Sequence, residues 1–195
     1  MRLSAIAAPL LAIATAGSAV AGGVELDIIG TMNAELDGVP GEWVTIEGEF
    51  RGEEGATANL TKTEFPHMTM WSITMQGHDP EGDNIMSENV VMIEASVGRG
   101  DDAPQLSGRE FMGEVMYLKQ NGMRPEIIYI AEEGEVVIDT LEFEGERGHV
   151  QGSASGYGCR VDMTDLTAGA DEDDCMQIEA EFDTEIVLDV VEVDM

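Results

Sequence analysis

The chain has 195 residues, enough for one sizeable core or for two small β units that share one. Forty Asp and Glu stand against nine Lys and Arg, for a formal net charge of −31. Long-range repulsion at that charge argues against nucleic acid and anionic membrane surfaces as partners. Apolar runs between the acids argue against a disordered polyanion.

Met1 and Arg2 open the chain, an Ala-rich apolar run with Pro9 inside it follows, and Ala19-Val20-Ala21 closes it as a small-x-small site. That layout predicts a secretory signal peptide over 1–21, cleaved after Ala21, and hence a periplasmic or secreted protein. No later segment reaches the ~18 apolar residues that a membrane span requires.

From Val24 onward the signals are those of strands. Val24, Leu26 and Ile28 alternate with Glu25 and Asp27, and Asp37-Gly38 and Pro40-Gly41 mark turns. Residues 43–50 form the next predicted strand, with a turn at Glu53-Glu54-Gly55 and a weaker strand over 56–62. The run 65–76 sets Trp71, Ile73 and Met75 on one face, and 90–97 is apolar enough for a central strand. A loop over 99–104 makes 99–106 the one candidate boundary between two packed β halves of a single 22–195 domain. Strands are then expected over 111–118, 126–131, 135–143 and 150–156, with turns at Asn121-Gly122 and Glu133-Gly134.

The end of the chain, 176–193, has the clearest pattern. Met176, Ile178, Ala180, Phe182, Thr184, Ile186, Leu188 and Val190 alternate with Gln177, Glu179, Glu181, Asp183, Glu185, Val187 and Asp189. A period of two puts one face in a core and the other in water. A run this long must bend, bulge or pass between sheets. About ten short strands with regular turns predict an all-β fold: an antiparallel β-sandwich, with a closed β-barrel as the alternative. Two cysteines in an exported chain predict one disulfide, Cys159 to Cys175. Its loop of about 15 residues is worth roughly 3 kcal/mol in the chain-entropy model.

Hard cations take oxygen ligands from acidic loops. The candidate Ca²⁺ ligands are Asp79, Glu81 and Asp83 in one loop, and Asp171, Glu172, Asp173 and Asp174 in another. Neither loop has the EF-hand spacing. His67, Met68, Met70 and Trp71 are copper-type ligands, but strand alternation would send them to opposite faces. Gly152-Ser153-Ala154-Ser155-Gly156 places Ala154 where a nucleophile elbow needs serine. Arg99-Gly100-Asp101 is too short a match to carry adhesion. The expected function is a non-catalytic binding or structural module whose partners are cations or an extracytoplasmic protein or ligand. The alternatives are a barrel that holds a small apolar ligand and a carboxylate-based hydrolase.

Overall fold

The computed structural model describes residues 18–21, 24–50, 52–82, 85, 88–119, 126–165 and 167–193. The predicted turn at Asn121-Gly122 lies outside them, as do Asp83 and the first 17 residues of the expected signal peptide. The described elements are β1 (Ser18–Ala21), β2 (Val24–Leu36), β3 (Val39–Phe50), β4 (Glu53–Ala56), β5 (Ala58–Phe65) and β6 (Met68–Gly77). They continue with β7 (Val90–Arg99), β8 (Arg109–Lys119), β9 (Ile127–Glu144), β10 (Arg147–Asp162) and β11 (Ala170–Glu192).

The expected all-β, antiparallel fold and the Cys159–Cys175 disulfide are both present. Every strand belongs to one sheet, and its pairings return to their start. From β5 the order runs β6, β7, β8, β9, β10, β11, and β11 then pairs with β5 to close a ring. That closing contact, Val187–Glu192 against Asn59–Glu64, is parallel; the other pairings are antiparallel.

β11 makes the closure possible by changing partners. Along Ile178–Thr184 it pairs with β2, and from Val187 it pairs with β5, while β10 stays on its other edge. The β2–β3–β4 arm therefore branches from the middle of β11. It bends back to the residue that follows β6 through paired backbone bonds between Val44 and His78 (2.9 and 2.8 Å). Asp37 and Gly38, both at positive φ, turn β2 into β3 with a two-residue loop.

Alternation along β11 is realised as the sequence implies. Ile178, Ala180, Phe182, Thr184 and Ile186 are buried, and Glu179, Glu181, Asp183 and Glu185 are exposed. The apolar face meets Ile73, Ile93, Val115, Val136, Ile138 and Val150 in one cluster to which all seven ring strands contribute. Core residues come from both sides of 99–106, Ile93 before it and Val115 after it. A smaller cluster of Leu26, Val44, Ile46 and Ile85 lies under the β2–β3 arm.

Three expected turns are strand instead. Pro40-Gly41 lies inside β3, paired with Glu35 and Ala34 of β2. Glu133-Gly134 sits inside β9, where the β8 register slips between Gly113 and Val115. Such a bulge lets a strand pass through a glycine without turning. Glu53-Glu54-Gly55 forms β4, a short edge strand on β3.

The partner exchange depends on a close approach. A β-carbon at Gly30 would lie 2.3 Å from the Thr184 side chain and 2.4 Å from its Cα. The Thr184 hydroxyl in turn meets that of Thr45 at 2.5 Å in the core. Because backbone cannot yield as a side chain can, Gly30→Ala is expected to cost about 2–3 kcal/mol. The thermal midpoint should fall by roughly 5–10 °C, and a calorimetric scan of the variant beside the parent chain checks this.

Candidate functional site

Asp79 and Glu81 follow β6, where the chain leaves the ring. The Asp79 carboxylate is turned onto its own loop: Oδ1 accepts the Glu81 amide and Oδ2 accepts the Asn89 side-chain amide, both at 2.9 Å. Asn89 is held on three sides. Its side-chain oxygen accepts from the Tyr117 hydroxyl at 2.9 Å, and its carbonyl accepts from the Trp43 indole at 2.5 Å. It has φ 52°, a conformation that Asn tolerates better than most residues. A cleft of about 520 Å³ opens above this network, lined by Glu42, Trp43, Asp79, Glu81, Asn89 and Tyr117.

His78 lies beneath, fully buried. Its Nδ1 donates to the Ile85 carbonyl at 2.8 Å, so that nitrogen carries the proton and Nε2 is bare. Among the described residues Nε2 has no partner. Burial pushes the imidazole below its ordinary value of 6.5, against a smaller upward effect of the Ile85 carbonyl.

The second acidic run is not a loop. Asp171, Glu172, Asp173 and Asp174 lie in the first turnless stretch of β11, with Asp171 opposite Arg160 of β10. Asp171 accepts the Asp173 amide at 3.2 Å. Asp174 accepts the Tyr129 hydroxyl at 3.2 Å and lies 3.7 Å from the Arg160 guanidinium. Burial, and then Asp174, push the Tyr129 phenol up. Cys159 and Cys175 are direct cross-strand partners next to the bulge that precedes Arg160.

Among the described residues no group of three or more His, Cys, Asp or Glu side chains is placed to hold a metal ion. His67 and Met68 are exposed, whereas Trp71 is buried with its indole on the Gly100 carbonyl at 2.8 Å. Ser153 and Ser155 both face outward on β10, opposite Glu181 and Glu179 of β11.

One larger feature was not singled out from sequence. A cleft of about 560 Å³ lies on the outer face of β2, β3, β9, β10 and β11. Glu35, Glu42, Glu135, Glu179 and Glu181 line it, around a floor of Ser153, Ala154 and Ser155. Alternation had assigned Glu179 and Glu181 to the wet face, but only strand order brings Glu35 and Glu135 beside them.

No family model, curated protein or solved structure matches this chain.

The neutral state of His78 has a consequence for pH dependence. The unfolded chain takes up this proton near pH 6.5 and the folded chain only at lower pH, so His78 favours folding fully above about 6.5. That contribution is lost as the pH falls from 6.5 toward the folded value. Relief of repulsion among the acids acts in the opposite direction, so the informative quantity is the parent minus His78→Asn. Urea unfolding at pH 7.5 and 5.5 should show the parent's advantage over His78→Asn shrinking by about 1 kcal/mol at the lower pH.

Proposed function

We propose that this protein is an exported, non-catalytic binding module that works through its outside surface and takes a cationic ligand. The observation that carries the reading is where free space lies. The ring interior is filled by fully buried Ile73, Ile93, Val115, Val136, Ile138 and Ile186. The two clefts described above open on the outside, and each is lined by carboxylates. A packed interior favours this reading over a barrel that holds an apolar ligand inside.

Compartment supports it too. A disulfide persists where thiols are oxidised. No helix among the described residues is long and apolar enough to cross a membrane. An acidic surface of this density is suited to a salty medium, where screening weakens its self-repulsion.

Ca²⁺ is the first ligand to test. The Asp79–Glu81 cleft, which Glu42, Asp79 and Glu81 line together, is the first place to look, ahead of the Asp171–Asp174 run, whose side chains β11 sends to opposite faces. Calorimetric titration with Ca²⁺, at about 20 mM and about 500 mM NaCl, should give a saturable heat. It should also raise the melting temperature at both salt levels, as a ligand selective for the native state must. Equal stabilisation by NaCl alone would reduce the effect to screening and would remove Ca²⁺ as a specific ligand.

A further inference from the structure

The outer face of the β2–β11–β10–β9 sheet is built unlike its continuation along the same strands. Toward the β9–β10 hairpin three of its acids have side-chain partners. Arg147 bridges Glu47 at 2.8 Å and approaches Glu185 at 3.5 Å, and Asp183 meets His149 at 2.7 Å and Gln151 at 2.8 Å. Two to four residues further along, the same strands set Glu181 and Glu179 opposite Ser153 and Ser155. Glu35 lies directly across from Glu179 on β2, a like-charge neighbour pair that costs stability. Among the described residues no cationic side chain pairs with either, nor with Glu42, Glu135 or Glu181.

A second observation lies on the same face. Met112 is directly opposite Glu135 on β8, and Tyr157 stands two residues beyond Ser155 on β10. They are 71% and 66% exposed, among the most exposed large apolar side chains described. Met and Tyr are types enriched where proteins dock, and here they flank a trough whose floor is made of small side chains.

We propose that this face docks an extended, basic segment of a partner polypeptide. Its Lys or Arg side chains would meet Glu35, Glu179 and Glu181, and its apolar side chains would lie against Met112 and Tyr157. An extended chain presents alternate residues to one face, which suits carboxylates spaced along and across strands. Charge complementarity selects the partner: a neutral or acidic segment would leave the Glu35–Glu179 repulsion in place. This inference rests on the cationic-ligand reading above and names the partner and the face.

The test is titration of a blocked, fluorescent peptide of alternating Lys and Val into the full chain at about 50 mM NaCl. Glu35→Gln/Glu179→Gln/Glu181→Gln should raise Kd roughly tenfold, and Tyr157→Ser, which leaves the charge unchanged, about threefold. The equal-charge control Asp102→Asn/Glu126→Gln/Glu144→Gln, away from the trough, should change Kd by less than about twofold. The melting temperature of each variant is measured alongside, and the trough triple should melt no lower than the parent because it relieves repulsion. Equal weakening by both triples would make the binding a property of overall charge, overturning the docking face while leaving the cationic-ligand reading intact. Absence of peptide binding with Ca²⁺ binding retained would also overturn it. Absence of both would overturn the reading on which it rests.

Discussion

The architecture depends on one strand having two partners on the same edge. β11 lies against β2 along Ile178–Thr184 and against β5 along Val187–Glu192, and the ring closes at that exchange. Both partners must meet a face that is apolar at each alternate residue. Ile178, Ala180, Phe182 and Ile186 provide it without interruption except at Thr184. At that position the core accepts a hydroxyl because Thr45 supplies a partner, and β2 comes close because Gly30 has no side chain. A polar pair and a glycine thus mark the fork in the sheet, where burial would otherwise penalise both.

Much of this was legible in the residues. Period-two alternation identifies the buried and wet faces of β11 over 178–186, where one face of a half-buried strand has no alternative; beyond Leu188 it fails, and Val190, assigned to the core face, is exposed. Asp37-Gly38 marked a turn that the structure bears out, because few residue pairs accept two positive φ values in succession, whereas Pro40-Gly41, marked likewise, is strand. The pair of cysteines was legible as well, since only two were present. Glu133-Gly134 misleads in the other direction. The same glycine chemistry that makes a turn also makes a bulge, and only the neighbouring strand decides which forms.

The candidate sites were less legible, for a physical reason. Runs such as Asp171 to Asp174 are conspicuous in a linear reading, yet a strand sends successive side chains to opposite faces, so neighbours in sequence are separated in space. Asp174 goes to Tyr129 and Arg160, while Asp171 accepts a nearby backbone amide. Carboxylates that do gather, Glu35 with Glu179 and Glu135 beside Ser155, come from positions far apart in the chain. Register creates that neighbourhood, and register depends on strand order, which alternation within one segment cannot report.

The position of β11 in the chain bears on when the molecule can assemble. It follows all the other described strands, and β2, β5 and β10 each depend on it for an edge. Earlier hairpins can pair locally as they emerge, but the ring stays open, with its apolar lining uncovered, until the final strand arrives. Contacts that span so much of the chain make folding slow relative to local pairing. Until then the preceding strands hold an unclosed edge at β5 and another at β10, and a single segment must arrive to seal both.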